Sequence, residues 1–456
     1  MFWFLLSLYL YFQLFVFTTT VFLIFCGLSW GRAPHFYLYL IEKLQKQYEA
    51  VYPPGYFDRV PWTDLIDADE RHSFLHPIEG KPTSNFEIVS EDFSSNLFDM
   101  PLELARSGVE CIVQDQLTAV FNLAPAYQRN RLNFQLWRLL KNRPGLRILW
   151  ILSTCIRFLF ILPIRVLLFT SSFLFVISMC LIACVIEFSD STKTRIGVIY
   201  CRLYTAGTGL VAEYKDVENR PQRPGITVAN HLSPNDLMVI CADVDPNRDY
   251  LYTVTGQQHN GIIWIIETLA QRLCDAVWLE RTSAESRKQF MQEVLSRAKV
   301  AGPVILFPEG YCTNNIGVLQ FRRAVFERDI NIYPIAIRQN ARFGDSYWFE
   351  DTISTYYLRQ LSSWASVYEV FYLPAQQMRE NETSEEFAAR VRKLIAAKIG
   401  IRTDVGELFD GGVYYKQRFK EKYKGIIQKN LAADLVQSGT SSPTLTNETS
   451  STYGGY

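Results

Sequence analysis

Of the five histidines, at 35, 72, 76, 231 and 259, only His231 is followed by an aspartate five residues on, in Asn230-His231-Leu232-Ser233-Pro234-Asn235-Asp236. A strand-like run, residues 225–230 (GITVAN), leads into it, and Ser233-Pro234 reads as the N-cap and first residue of a helix. Asp236 then falls in the first helical turn and can point back at the imidazole. A carboxylate on one ring nitrogen fixes the tautomer and stabilises the imidazolium, leaving the other nitrogen to take a proton from a substrate hydroxyl. The same letters carry a plainer reading. Ser233 and Asp236 form S-x-x-D, as in a helix capping box, and Asp236 could serve only backbone N–H groups.

The spacing gains weight from its company. Residues 303–307 (PVILF) read as a buried strand that ends in Phe307-Pro308-Glu309-Gly310, where the glycine permits unusual backbone angles or close approach of a ligand. Residues 276–280 (AVWLE) read as another strand, followed by Arg281, whose guanidinium suits a bidentate grip on phosphate. Taken singly, Arg281 reads as a surface arginine and Glu309 as a turn residue. A further strand-like run, 330–337 (INIYPIAI), carries Pro334 at its centre. The nine cysteines include no CxxC pair and no Cys/His cluster, so no zinc site is expected, and Cys312 reads as a buried thiol.

The elements that must hold these residues alternate between strand and helix, such as 286–300 (SRKQFMQEVLSRAKV), which indicates an α/β domain over about 196–375. Residues 1–27 carry no charged side chain and exceed the roughly twenty apolar residues that span a bilayer, so an uncleaved anchor is expected rather than a signal peptide. Residues 148–188 form a second apolar region, with Arg157 and Arg165 in its first half and a natural break at Pro163. Basic residues flank both ends, which predicts a hairpin that enters and returns on one side, with the two arginines snorkelling to headgroups. The expected order is therefore an anchor (1–30), a partly helical N-terminal region (31–145), a membrane hairpin (146–190), the α/β domain (191–378), a helical basic region (379–430) and a disordered Ser/Thr/Gly-rich tail (431–456). Composition is 48% hydrophobic and 14% aromatic, and 46 basic residues balance 46 acidic ones, which argues against a general nucleic-acid binder. The cysteines show no disulfide framework, so a reducing compartment is expected.

His231 to Asp236, Trp278 to Arg281, Phe307 to Gly310 and Tyr333 to Ala336 resemble, in this order, the four blocks of the glycerolipid acyltransferase superfamily that includes bacterial PlsC. The flanks look like the animal microsomal glycerol-3-phosphate acyltransferases. They include Phe307 through Asn315, Phe343-Gly344-Asp345, Ser363-Trp364-Ala365 and Leu408 through Gly412. The resemblance implies an α/β acyltransferase domain with an N-terminal transmembrane helix and a membrane-associated helical hairpin. It implies acyl transfer from acyl-CoA, a co-substrate and not a cofactor, to the sn-1 hydroxyl of glycerol 3-phosphate. His231 would be the general base and Asp236 its orienting partner. Arg281, Phe307, Pro308, Glu309 and Gly310 would bind substrate, Arg281 through phosphate, and Pro334 would belong to a structural or acyl-site block. Attack on the thioester is direct, so Cys312 need not act as nucleophile. Expected partners are acyl-CoA, glycerol 3-phosphate or a lysophospholipid, and membrane lipids of the endoplasmic reticulum, with the domain on the cytosolic side. Tyr311 departs from the Thr or Ser of the family pattern. That keeps a lysophospholipid acyltransferase in view, and an inactive membrane scaffold is the alternative from another class.

Overall fold

The computed structural model describes residues 2–49, 143–258, 261–279, 284–300, 303–348, 350, 352–401 and 403. The chain divides into two compact units, and all described residues belong to the unit formed by 1–61 and 120–414. The helices expected at 99–122, the basic run 414–429, the tail and Arg281 lie outside the described residues.

Seven strands form one sheet in the order β1-β7-β6-β2-β5-β3-β4. They are β1 (Leu210–Lys215), β2 (Ile226–Ala229), β3 (Thr253–Gln257), β4 (Ala276–Leu279), β5 (Val304–Leu306), β6 (Ile332–Asn340) and β7 (Ser366–Tyr372). All pairings are parallel except β6 with β7. The four strands expected from apolar runs are present. β1, β3 and β7 went unread because their apolar residues alternate with Glu, Thr or Tyr, as suits strands nearer the sheet margins.

Side chains alternate between the two faces of the sheet, and each face has its own core. Ile226, Val228, Ile332 and Ala336 pack against Val294 and Ala298 of α8 (Ala284–Val300) and Phe387, Val391 and Ile395 of α10 (Ser384–Ile399). Ala229, Ile335, Ile337 and Val370 pack on the other side against Val198 and Cys201 of α5 (Asp190–Thr208) and Val239 and Ile240 of α6 (Asn235–Ala242). Pro334 sits inside β6, buried and in register with Val228, and its carbonyl accepts from the Leu373 N–H. It is part of the sheet's interior.

The break expected at Pro163 is absent. Pro144–Ile156 (α3), a π turn at Arg157–Ile161 and Leu162–Ala183 (α4) continue as one helix of 40 residues. Proline removes one N–H and presses on the carbonyl four residues back, and the wider π turn accommodates it there. The Leu159 carbonyl accepts from the Tyr9 hydroxyl at 2.7 Å and the Phe160 carbonyl from the Gln13 amide at 3.3 Å, both on α1 (Phe2–Phe25). The hairpin lies further on. The chain turns through 184–189 into α5, which runs back along α4, with Ile196 beside Cys180 and Gly207 against Phe169. A Cβ on Gly207 would stand 2.6 Å from the Phe169 nitrogen, so the close approach of the two helices depends on glycine.

The two arginines do not snorkel. Arg165 is buried and donates to the carbonyls of Ser363 and Trp364, both at 2.5 Å, and Leu361 at 3.2 Å. These carbonyls lie at and just beyond the end of α9 (Ile353–Ser362), where a cation complements the helix C-terminus, and the Trp364 carbonyl also accepts from the Tyr37 hydroxyl at 2.8 Å. Arg157 reaches the Ser362 carbonyl at 3.4 Å and stands over the Trp364 ring. Buried Ser153, Arg157, Arg165, Leu168, Ser172 and Cys180 mark the docked stripe, and Ile151, Leu159, Leu167, Leu174 and Leu181 are among the large apolar residues left exposed. α1 and the 40-residue helix are each long and apolar enough to cross a membrane.

Candidate active site

Parallel pairing of β2 with β5 (Val228 opposite Leu306) brings the loops that follow them to the same edge of the sheet. The ends of parallel strands are where α/β folds collect ligand groups, because helix starts and irregular backbone converge there. His231 leaves β2 and Phe307 leaves β5, and their rings stack with centroids 4.2 Å apart.

His231 Nδ1 lies 2.9 Å from Asp236 Oδ2. That oxygen also accepts from the Leu232 N–H at 2.6 Å and the Ser233 N–H at 2.9 Å. The capping reading and the base-pair reading therefore describe one arrangement: a single carboxylate oxygen holds the backbone turn and orients the imidazole. α6 begins at Asn235, slightly later than expected, and Ser233 Oγ still accepts from the Asn235 N–H at 3.2 Å. Asp236 is fully buried, with the Tyr368 hydroxyl 3.4 Å from Oδ1, whereas the His231 side chain keeps a 20% exposure towards the cavity. Burial by itself lowers the His231 pKa, but the adjoining Cys312 thiol and the Asp236 carboxylate outweigh it and hold the imidazolium well above the usual histidine range.

Glu309 does not face the cavity. It is 1% exposed, and its two oxygens accept from the His231 N–H at 2.8 Å and the Leu319 N–H at 2.9 Å. Burial pushes its carboxyl up to about 8, and the two backbone donors pull the other way. It clamps the backbone that presents His231. The His231 carbonyl in turn accepts from the Thr313 N–H at 2.7 Å. Asn230 exchanges two bonds with Ile337, and Asn315 donates to the same Ile337 carbonyl at 2.8 Å, so both loops are tied to β6. Both asparagines stand in runs that carry the family resemblance, but their role as ties was not legible there, since it depends on a strand distant along the chain.

A cavity of about 580 Å³ opens beside the His231 ring. Phe307, Pro308, Gly310 and Tyr311 line one side, Arg322 and Val325 another, and Arg287, Phe290 and Met291 of α8 a third. Among the described residues its lining includes no Asp or Glu. Gly310 has φ +72°, a conformation that favours glycine, and a Cβ there would stand 3.0 Å from Arg322 Nε. Leu279, the end of β4, also lines the cavity, two residues before Arg281. Among the described residues no His/Cys/Asp/Glu group is arranged to hold a metal.

An oriented imidazole with a free edge on such a cavity can take a proton from a hydroxyl as that oxygen attacks a carbonyl. A family model described as Acyltransferase matches residues 211–338, from β1 through β6. The chain is 32% identical over 361 residues to mouse glycerol-3-phosphate acyltransferase 3, covering 75% of this chain and 77% of that protein. The chain belongs to the glycerol-3-phosphate acyltransferase family. Human glycerol-3-phosphate acyltransferase 4 is likewise 32% identical over 346 residues, with 72% of each chain covered. The 1-acyl-sn-glycerophosphate acyltransferase PlsC of Thermotoga maritima is 14% identical, with a TM-score of 0.42 over 54% of this chain and 96% of that one. For this member of the family, the residues brought to the cavity are His231, Phe307, Pro308 and Gly310, with Asp236 and Glu309 behind them and Pro334 within the sheet.

Proposed function

We propose that this chain transfers an acyl group from acyl-CoA to the sn-1 hydroxyl of glycerol 3-phosphate, giving lysophosphatidate, at the surface of a membrane. Family membership supports the reaction class. The observation that carries the mechanism is the 2.9 Å pair of His231 Nδ1 and Asp236 at the cavity floor. The acceptor hydroxyl gives its proton to His231 Nε2 as its oxygen attacks the thioester carbonyl. The carbon–sulfur bond then breaks, and the CoA thiolate leaves with the proton returned by the imidazolium. Asp236 holds the tautomer and stabilises the transient cation. Arg281 binds the phosphate of the acceptor, Phe307 buttresses the imidazole, and Pro308 and Gly310 shape the substrate wall.

Two apolar helices and their exposed Leu, Ile and Phe side chains support membrane association. Acyl-CoA joins a lipid tail to a soluble headgroup, so a site beside such a surface suits it. All eight cysteines among the described residues are free thiols, which accords with the cytosolic face of the endoplasmic reticulum.

Detergent-purified wild type and His231→Ala, given labelled palmitoyl-CoA with glycerol 3-phosphate or with lysophosphatidate, test the reading. Product from glycerol 3-phosphate alone, lost in the variant, is expected. Product only from the lysolipid would move the acceptor to the lysophospholipid class and keep the base. Failure with both acceptors would favour a scaffold.

A further inference from the structure

The cavity holds two cations that the reading above leaves unused. Arg287 projects from the first turns of α8 and Arg322 from the loop that follows Leu319, and both are exposed at the cavity's open side. Arg322 is tied to the Phe307–Gly310 turn twice. Its N–H donates to the Pro308 carbonyl at 3.0 Å, and its guanidinium lies so close over Gly310 that a Cβ there would come within 3.0 Å of Nε and 3.2 Å of Cζ. The turn that carries Phe307 against the His231 ring thus also fixes one end of a cationic side chain. Arg287 enters from the opposite wall, beside Phe290 and Met291. The described lining carries two guanidinium groups and no carboxylate, a composition that suits a phosphate group.

We propose that Arg287 and Arg322 together grip the phosphate of the acyl acceptor, setting the distance between that phosphate and the hydroxyl presented to His231. The assignment rests on the glycerophosphate reading above and adds two residues to it. Guanidinium pairs bind phosphate through several charge-assisted N–H donors, and two arms from different elements fix the group's position as well as its charge. Arg322 acts where Gly310 leaves room for it, which explains why a residue with a side chain is unsuited to that turn. The lining also presents Leu279, Phe290, Met291, Leu306 and Val325, apolar side chains that suit the acyl portion of the donor.

Coenzyme A also carries phosphates, so the test separates the two sources. Arg287→Gln, Arg322→Gln and the double variant are assayed with acyl-CoA and glycerol 3-phosphate varied independently, with Arg→Lys at each position as the conservative control. The expected result is a rise in the acceptor KM of about tenfold or more for each Gln variant, from the loss of a hydrogen bond to a charged group. The acyl-CoA KM and the acid limb of the pH profile stay as in wild type, and Lys restores part of the loss. A rise confined to the acyl-CoA KM assigns the pair to the donor and overturns the proposal, as does no change in either KM. Inorganic phosphate titrated into purified His231→Ala, with and without the two Gln substitutions, reads the pair without turnover. Equal phosphate affinity in both proteins overturns the proposal even if the acceptor reaction itself holds. Wild type that turns over lysophosphatidate but not glycerol 3-phosphate defeats the acceptor reading alone, because phosphate binding still reports on the arginines.

Discussion

At the scale of residues, Asp236 does two jobs with one oxygen, and the consequences separate by pH. In the proposed mechanism the base works as neutral imidazole, and the His231 pKa lies above the ordinary value of about 6.5. The acid limb of kcat/KM is therefore expected above about pH 6.5. Activity is present above that limb and is lost as pH falls through the His231 pKa. Asp236→Asn removes the anion, so the limb should move to lower pH while kcat falls by about a hundred- to ten-thousandfold. A pH–rate series on both proteins checks this; an unmoved limb would count against His231 as the titrating base. Glu309 gives a contrasting expectation. Above the pH of about 8 at which it ionises, its carboxylate is filled by two backbone N–H groups, and there Glu309→Gln turns one acceptor into a donor facing a donor. We expect a stability loss of about 1–3 kcal/mol, seen as a lower Tm, together with a lower kcat and little change in the acceptor KM. A large KM effect at unchanged Tm would mean that Glu309 touches substrate after all.

At the scale of elements, the site depends on how helices and turns are fastened. Gly310→Ala asks a residue with a Cβ to hold φ +72° and to displace the Arg322 guanidinium. The expected outcome is a folded protein with a raised acceptor KM, measured by steady-state kinetics beside thermal melting. The long apolar helix is fastened to the α/β domain through Arg165, which serves the carbonyls of Leu361, Ser363 and Trp364 at the end of α9. Arg165→Leu would take this donor from the Leu361 and Ser363 carbonyls, at about 1–3 kcal/mol each, while the Trp364 carbonyl keeps the Tyr37 hydroxyl. Thermal unfolding in detergent should therefore shift downward, and Arg165→Lys should recover only part of the loss, because an ammonium cannot reach the same set of carbonyls in one plane.

At the scale of the whole molecule, a 40-residue helix pinned along one stripe still presents a broad apolar surface on its other side, continuous with the exposed side chains of α1. An exposed apolar surface of this extent marks a membrane or protein contact, and the proposed function makes it the membrane. The full-length protein is expected to float with phospholipid vesicles, and Leu174→Glu with Leu181→Glu should weaken that binding while the melting temperature is retained. Vesicle flotation of the two proteins decides it, and unchanged flotation would remove this face from the membrane contact.

The local chain was enough to place the His231–Asp236 pair and the strands that carry the four motif blocks. Each of these rests on short-range chemistry: an apolar run, a turn residue, or a carboxylate five residues from an imidazole. What tertiary structure alone decided involves partners far apart in sequence. Pro163 looked like a break because its missing N–H has no local remedy, yet residues of α1 supply partners for the freed carbonyls. Arg157 and Arg165 looked like interfacial residues until α9 placed its last carbonyls beside them. Arg287 and Arg322 drew no reading in one dimension, and only the fold sets them around the same cavity as His231. The sequence by itself specified the His231–Asp236 pair, because its members lie five residues apart; the fold specified what surrounds it, because those contacts join residues that only the sheet and its helices bring together.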